Sequence, residues 1–259
     1  MDDALEAQLA ALGGREFRFL RGRLLWSRIL PDFFHLAPSD RVLTLGVGQG
    51  PEVLAYRNRS TVMVGVDRNE AALRKGRRAA ALCGITNYLP VCADAQALPF
   101  RDSVFDKVLA VAIVMVVDDP SALCGEARRV LTPGGQMLMT FPGVQLRLRH
   151  GAAAAGRAAR RVGEWLGIRS ARMRGTLPRL ARWREWLALL RRHGFVLARS
   201  EATSIIPPLH WLGLPRFWFR SDLIHSADRT LSRLPGFRAL GQAVMAVFTR
   251  ADADGPGGP

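Results

Sequence analysis

The residues best suited to chemistry are glycines and carboxylates that follow short apolar runs. Gly46, Gly48 and Gly50 alternate in the segment GVGQG, directly after the apolar residues 42–45. Glycines in a turn let the backbone approach a ligand closely, and a helix that starts after such a turn offers free N–H groups. The segment therefore predicts a nucleotide-type binding loop, although a glycine-rich turn is by itself a weak signal.

Two acids are placed where a bound nucleoside needs hydrogen-bond acceptors. The second apolar run, TVMVGV, ends in Asp67, 17 residues after Gly50. An acid at the end of the second strand of a doubly wound sheet accepts hydrogen bonds from ribose hydroxyls. The third run leads into Asp94 and Ala95, whose carboxylate and backbone N–H match the amine and a ring nitrogen of adenine. The structural alternatives are a helix cap for Asp67 and a turn for Asp94.

The elements that position these residues alternate along the chain. We predict strands at 41–45, 61–66, 88–92, 105–111, 136–141, 195–201 and 243–249, and helices at 51–57, 69–83, 121–130 and 183–193. Continuous apolar strands that alternate with helices are typical of parallel sheets covered on both faces. The predicted fold class is α/β, with a doubly wound, mostly parallel, seven-stranded Rossmann-like sheet and a helical, aromatic and basic insertion or cap.

The domain organisation follows from the alternation of strands and helices and from the segments that interrupt it. We predict an N-terminal helical segment (1–36), broken near Pro31, and a cofactor-binding core (37–141). A basic insertion (142–180) follows, then the C-terminal part of the core (181–250) with an aromatic cap (204–240), and a disordered tail (251–259). The N-terminal helix either packs on the sheet, covers the site or lies on a membrane surface.

The positive charge is concentrated in the second half of the chain. The formal net charge of the chain is +15, and residues 141–259 hold 20 basic and 7 acidic side chains. Lys75 and Lys107 are the only lysines of the whole sequence, so all of the basic side chains counted in this half are arginines. Arginines beside tryptophans and leucines suit an anionic membrane surface, and the same arginines suit phosphate on RNA. A basic, solvated face without a partner is the third interpretation.

Compartment signals are few. The three cysteines form no disulfide framework or zinc pattern, the N-terminus lacks the order of a signal peptide, and the longest apolar run has ten residues. A run of that length is too short to span a bilayer. We therefore expect a cytoplasmic protein of bacterial type, and peripheral binding at the inner membrane face is the alternative location.

Four segments in order resemble one protein family. They are GVGQG, VGVDRNEAAL, CADAQALPFRDSVFDKVLAV and EARRVLTPGGQMLMTF, and together they cover about residues 36–141. In this arrangement the chain resembles the class I S-adenosylmethionine-dependent methyltransferases. The most similar branch contains the ubiquinone and menaquinone biosynthesis enzymes and many natural-product methyltransferases.

The resemblance implies S-adenosylmethionine as cofactor and assigns roles to individual positions. The glycine loop would hold the methionine end, Asp67 the ribose, Asp94 and Ala95 the adenine, and the exit of the fourth strand would face the sulfonium. Glu126, Arg129 and Pro133-Gly134-Gly135 match a pattern that is structural in the family. The implied cofactor-binding residues are Leu45, Gly46, Val47, Gly48, Gly50, Asp67, Arg68, Asp94, Ala95 and Val111.

Two positions depart from the family pattern. Thr44 stands where the family usually has an acid that helps to organise the methionine ammonium. The segment Met115-Val116-Val117-Asp118 stands where the family often has histidines, so no histidine base is available there. The candidate bases are Asp118, Asp119, His35 and His210, and we favour His210 because it lies in the aromatic cap, with Asp118 as the second choice.

The predicted function is methylation, at oxygen or carbon, of a small acceptor that is hydrophobic or linked to a lipid. Methyl transfer is an in-line displacement that depends mainly on proximity and orientation. The alternatives are an RNA methyltransferase and a catalytically inactive binding protein with the same fold. Comparing partition to liposomes with RNA binding separates the small-molecule methyltransferase from the RNA methyltransferase. Cofactor binding without turnover would indicate the inactive binding protein.

Overall fold

A seven-stranded sheet forms the centre of the computed structural model, which describes residues 3–27, 29–142, 183–203, 230 and 243–251. The strand order is β3-β2-β1-β4-β5-β7-β6. β7 runs antiparallel to both of its neighbours, and the other pairs are parallel. The predicted doubly wound, mostly parallel sheet is thus confirmed. The strands are β1 (Arg41–Leu45), β2 (Val62–Asp67), β3 (Tyr88–Cys92), β4 (Phe105–Ala110), β5 (Leu131–Pro142), β6 (Phe195–Thr203) and β7 (Ala243–Arg250).

Helices cover both faces of the sheet, which explains why the strands are apolar on both sides. One core lies under the helices α1, α2, α4 and α5, and the other lies under α6 and α7. The helices are α1 (Asp3–Ala10), α2 (Gly14–Ser27), α3 (Leu30–Phe33), α4 (Pro51–Tyr56), α5 (Glu70–Leu82), α6 (Pro120–Val130) and α7 (Trp183–Arg192). None of the helices in the described ranges is long and apolar enough to cross a membrane.

Local sequence signals explain where the helices next to the site begin. The side chain of Asn69 accepts a hydrogen bond from the backbone N–H of Ala72 and so caps α5. Asp119 caps α6 in the same way, and Pro51 and Pro120 occupy first-turn positions of α4 and α6, where a missing N–H costs nothing. These caps fix the carboxyl edge of the sheet, from which the helices start.

The structure differs from the sequence predictions at several boundaries. Helix α1 lies within the predicted N-terminal helical segment (1–36), although its bounds were not predicted, and the break predicted near Pro31 falls between the end of α2 at Ser27 and the start of α3 at Leu30. β4 ends at Ala110, because Ala112 adopts a left-handed backbone (φ 60°) before a short 3₁₀ turn, Ile113–Met115. β5 already begins at Leu131 and extends through Pro142, a residue that the sequence had assigned to the basic insertion.

The C-terminal predictions are only partly within the described residues. Ala251, assigned to the disordered tail, donates a backbone hydrogen bond to the Gly194 carbonyl and accepts one from Arg128. The rest of the basic insertion and of the tail, and the aromatic cap except Thr230, lie outside the described part of the chain.

Arg129 ties α6 to the segment that follows β3. Its guanidinium donates to both Glu126 oxygens, to the Asp102 carboxylate and to the backbone carbonyls of Leu98 and Phe100, at 2.7–3.0 Å. Glu126 in turn accepts from the Leu98 N–H at 2.6 Å. The network fixes the course of the chain after Asp94, and this agrees with the structural role that the resemblance implied.

We expect Arg129→Ala to lower the free energy of unfolding by about 2 kcal/mol, since it removes several charge-assisted hydrogen bonds of a half-buried group. Urea unfolding at neutral pH measures this loss. Arg101→Ala, an exposed change on the same segment, should stay within about 0.5 kcal/mol. Equal effects of the two substitutions would contradict the structural role of Arg129.

Candidate functional site

An open cleft lies at the carboxyl ends of β1 to β4. Its position, where the chain order of the strands reverses, is the usual ligand crevice of such sheets. The residues that line the cleft are Gly46, Val66, Asp67, Arg68, Ala93, Asp94, Ala95, Gln96, Ile113, Val116 and Val117.

The glycine loop borders the cleft at Gly46, and its three glycines adopt a left-handed backbone that favours glycine. Gly46, Gly48 and Gly50 have φ of 66°, 53° and 73°. A methyl group added at Gly46 would lie 3.2 Å from Cδ1 of Ile113, a side chain that also lines the cleft. Glycine is therefore required here both by the left-handed backbone and by close packing.

We expect Gly46→Ala to weaken cofactor binding by about tenfold or more, because the loop must shift away from Ile113 and relax its backbone. Calorimetric titration measures the change. Gly84→Ala is a matched control: Gly84 has φ of +65° with no atom within 4 Å of an added Cβ. It should lose stability without losing affinity, and a comparable loss of affinity in both variants would refute the packing explanation.

Asp67 connects the glycine loop to the start of α5. Its Oδ2 accepts a hydrogen bond from the Gly48 N–H at 2.8 Å, and its Oδ1 accepts from the Asn69 N–H at 2.8 Å. Asp67 is therefore not the cap of α5, which is Asn69, but it binds the N–H of the capping residue and lines the cleft. Each carboxylate oxygen has a second lone pair, so the side chain keeps acceptor capacity toward the cleft that it lines.

Asp94 and Gln96 form the turn at the far end of the cleft. The Asp94 carboxylate accepts hydrogen bonds from the Gln96 backbone N–H at 2.9 Å and from its side-chain amide at 3.1 Å. These bonds, and the charge of Arg68, hold the pKa of Asp94 below its ordinary value. The Gln96 Oε1 accepts from the Asp119 N–H at 2.5 Å and so links this turn to α6.

Arg68 lies across the mouth of the cleft. Its Nη1 is 3.7 Å from the Asp94 carboxylate and 3.4 Å from that of Asp118. All three side chains are well exposed, so these ion pairs contribute little to stability. They place one positive and two negative groups at the rim, where a polar part of a ligand would enter.

The remaining walls are apolar and come from strand ends and from the 3₁₀ turn. Val66, Ala93, Ile113 and Val117 line the cleft, while Val116 is 66 % exposed at its edge. Sequence reasoning did not select these residues or Gln96. The available signal was the apolar stretch after the fourth strand, which was considered only for its lack of histidine.

Several residues singled out from the sequence do not line the cleft. The side chains of Leu45 and Val47 are buried in the two opposite cores, and Val111 is buried in the same core as Val47, so only their backbones remain available to a ligand. His35 is exposed after α3, and Asp119 serves as a helix cap. His210 lies outside the described residues.

The arrangement fits a nucleoside with a cationic side chain. Asp67 and Asp94 provide oxygen acceptors at the two ends of a cleft whose middle is apolar, which suits a ribose and a flat base. Within the described residues no group of His, Cys, Asp or Glu is arranged to hold a metal ion.

Comparison with known proteins agrees with this geometry. Residues 43–139 match the family model described as "Methyltransferase domain". The chain is 29 % identical over 114 residues to a demethylmenaquinone methyltransferase from Renibacterium salmoninarum, covering 44 % of this chain and 46 % of the relative. It is 33 % identical over 104 residues to a phosphatidylethanolamine N-methyltransferase from Cereibacter sphaeroides, covering 40 % and 51 %.

Structural similarity covers a larger part of the chain than sequence similarity does. The YcgJ protein from Bacillus subtilis superimposes with a TM-score of 0.59 at 16 % identity, covering 88 % of this chain and 99 % of that one. The chain spans about half the length of the two curated relatives it matches. All the residues that line the cleft fall inside the segment matched by the family model.

Proposed function

We propose that this chain, whose residues 43–139 match a methyltransferase domain model, is an S-adenosylmethionine-dependent methyltransferase that methylates a small acceptor that is apolar or linked to a lipid. The observation that carries the proposal is the cleft itself. Its glycine loop is anchored to Asp67, and its apolar walls end in a turn at Asp94. Oxygen and carbon are the acceptor atoms we favour.

The residues present fit S-adenosylmethionine. Asp67 would accept from the ribose hydroxyls, Asp94 and Ala95 would recognise the adenine edge, and Arg68 would cover the base. The loop from Gly46 to Gly50 would bring backbone N–H groups to the methionine end. When bound, the cofactor supplies a methyl group on a cationic sulfonium, and the protein contributes orientation and exclusion of water.

The acceptor would approach over the apolar edge of the cleft. Met115 ends the 3₁₀ turn that follows β4, Val116 and Val117 come next, and Val116 is one of the most exposed large apolar residues of the described chain. The two relatives are named for demethylmenaquinone and phosphatidylethanolamine, both lipids of membranes. An apolar edge at the methyl-transfer position supports an acceptor of this kind.

We expect Val116→Asp to lower kcat/KM for an apolar acceptor by about tenfold while leaving the affinity for S-adenosylmethionine within twofold. A bound apolar acceptor would have to bury this charge, which disfavours its binding, whereas the polar ends of the cleft are left unchanged. Val196→Asp is the control, since Val196 is 57 % exposed on β6, away from the cleft. A loss of cofactor affinity in Val116→Asp would place this residue in the cofactor site instead.

Asp118 and His210 are the two residues that we propose as the base that removes a proton from the acceptor. Asp118 follows the cleft residue Val117 and pairs with Arg68 at 3.4 Å. A carboxylate is a weak base, so Asp118 would suit only an acceptor that loses its proton easily, such as a phenol or an activated ring carbon.

A membrane surface is the partner that we propose for the basic half of the chain. The excess of arginine in residues 141–259 would attract an anionic bilayer, and a lipid-linked acceptor is found there. Cosedimentation with vesicles containing phosphatidylglycerol should exceed that with neutral phosphatidylcholine vesicles. Tight RNA binding with no preference for anionic vesicles would favour the nucleic-acid alternative.

The experiment that tests the function combines cofactor titration with methyl transfer. Purified full-length protein is titrated with S-adenosylmethionine and then incubated with labelled cofactor and extracted bacterial lipids. Micromolar binding with label in the lipid fraction supports the proposal. Binding without transfer to any acceptor fraction would indicate an inactive binding protein, and no binding at millimolar cofactor would refute the proposal.

A further inference from the structure

The outward side of α5 and the turn after α4 carry a dense group of basic side chains. Residues 57–82 hold seven basic and two acidic side chains, whereas the rest of residues 1–140 holds ten basic and thirteen acidic ones. The small net charge of the first 140 residues therefore conceals a local positive excess. We call six exposed residues of this segment the basic face: Arg57, Arg59, Arg74, Lys75, Arg77 and Arg78.

Helical spacing separates the basic face of α5 from its buried side. Leu73, Ala79 and Ala80 are buried in the core that α5 covers. Residues three and four positions apart are neighbours on a helix surface. The exposed side holds a row with these spacings: Arg74, Arg77, Arg78 and Ala81. The arginines of α5 therefore form one continuous surface.

The turn after α4 extends the basic face beyond the end of α5. The Asn58 Nδ2 donates to the Gly84 carbonyl at 3.2 Å, and the Asn58 Oδ1 accepts from the Thr86 N–H at 3.3 Å. Arg57 and Arg59 flank Asn58 and so lie beside the carboxyl-terminal end of α5. Positive charge is favourable there, because the helix dipole has its negative end at that terminus.

Ion pairs within the chain neutralise the basic face mainly in the first half of α5. Arg74 pairs with Glu70 at 2.7 Å, and Lys75 pairs with Glu16 of α2 at 2.8 Å. Both acids lie on the amino-terminal side of the helix or beside it, so the positive excess is largest toward the second half of α5 and the turn. A charge separated in this way orients the protein at an anionic surface.

The other exposed side chains of α5 distinguish between anionic partners. Ala71 and Ala81 are exposed, and Leu82 is 37 % exposed. Small and apolar side chains between arginines suit the boundary between lipid headgroups and acyl chains, where arginine stems also lie favourably. The sequence of α5 contains no aromatic ring to stack on a base and no Asn or Gln to bind a base edge. The composition thus favours an anionic bilayer over nucleic acid.

We propose that the basic face binds the anionic headgroups of a lipid bilayer and holds the rim of the cleft near the bilayer surface. α5 begins at Glu70, directly after the segment in which Asp67 and Arg68 line the cleft. Its 13 residues span about 20 Å. A bilayer in contact with the whole helix would therefore extend from the turn at 57–59 to the cleft. The choice of a bilayer rests on the proposed function, because a lipid-linked acceptor would be presented there.

Flotation with vesicles tests the basic face. The full chain, without cofactor, is mixed at low ionic strength with vesicles of phosphatidylglycerol and phosphatidylcholine, or of phosphatidylcholine alone. The test variant combines Arg59→Gln, Arg77→Gln and Arg78→Gln. We expect its partition to the anionic vesicles to fall by about 30-fold or more, since each arginine near such a surface contributes roughly fivefold. Partition to phosphatidylcholine alone should be weak for the original chain and the variant.

A matched control variant removes the same number of charges elsewhere. It combines Arg101→Gln, Arg184→Gln and Arg192→Gln, three exposed positions. Arg184 and Arg192 belong to α7, which packs on the opposite face of the sheet. Because salt screens charges over about 10 Å, the control should lose less than about threefold in partition. Glutamine preserves helix propensity, so both variants are expected to fold and to bind S-adenosylmethionine within twofold of the original chain.

The outcomes separate this inference from the proposed function. If the test variant partitions like the original chain, or the control loses as much, the assignment to α5 is refuted and the membrane partner proposed above stands. If the original chain has no preference for anionic vesicles, both fail, while methyl transfer is still tested by labelled cofactor. If the original chain binds mixed-sequence single-stranded RNA more tightly than vesicles, and the test variant loses that binding, the basic face is a nucleic-acid surface and the proposal is overturned.

Discussion

Replacing Asp67 by alanine is expected to weaken S-adenosylmethionine binding by about 100-fold or more. The substitution removes the proposed ribose acceptor, and charge-assisted hydrogen bonds of this kind contribute about 1.5–3 kcal/mol each. It also releases the Gly48 N–H at one carboxylate oxygen and the Asn69 N–H at the other. The glycine loop and the start of α5 would lose their common anchor, so the cleft would be less preorganised.

Calorimetric titration of Asp67→Ala beside Glu70→Ala measures this effect. Glu70 is an exposed carboxylate three residues further along, paired with Arg74 at 2.7 Å on the surface of α5. The control removes the same type of charge at nearly the same place and should leave affinity within twofold. Similar losses in both variants would mean that general electrostatics, not the specific contacts of Asp67, governs cofactor binding.

The cofactor-free protein is expected to lose about 3 kcal/mol of stability as the pH rises from about 4.5 through 7. Glu52 has a pKa of about 7 in the folded protein against 4.5 for the ordinary side chain. A carboxyl whose pKa is higher in the folded protein than in the unfolded chain makes its full contribution to stability when the pH is below the pKa of the unfolded chain. That contribution is lost as the pH rises through the folded value, because the buried ion must then be accommodated.

Urea unfolding of the original chain and of Glu52→Gln at pH 5 and pH 8 isolates this contribution. The difference in stability between the two proteins should change by about 3 kcal/mol across the interval, with Glu52→Gln the more stable at pH 8. The pKa values of Asp94, Asp106 and Glu126 are lowered, so these groups lose their contributions only in more acidic solution. Parallel pH profiles for the two proteins would show that Glu52 is ionised throughout.

The sequence predicted the sheet well because its signals are local. Continuous apolar runs mark strands covered on both faces, and β1 and β3 were predicted to the residue. The helix predicted from residue 69 does begin there, with Asn69 as its cap, because capping depends on one side chain and the next turn. Helix α1 lies in the predicted helical segment, but its bounds were not predicted, since the role of its apolar residues Leu5 and Leu9 depends on the core that they cover.

The site was predictable to the extent that it depends on strand ends. Gly46, Asp67, Asp94 and Ala95 line the cleft because parallel strands bring their carboxyl ends to one edge of the sheet. Leu45, Val47 and Val111 do not line it with their side chains, because alternation along a strand and the turn after it decide which face a side chain takes.

By itself the sequence determined the alternation of strands and helices along the chain, the glycine loop and the two acids, because each is encoded within a few residues. Only the tertiary structure decided that the Asp67 carboxylate is shared between the loop and α5. It also decided that the Tyr88 side chain packs against Gly65 and beside Val47. Tyr88 lies 41 positions after Val47 in the sequence, and their proximity arises from strand register. Burial, which gives Glu52 its unusual pKa, is a property of the folded core and has no local signal.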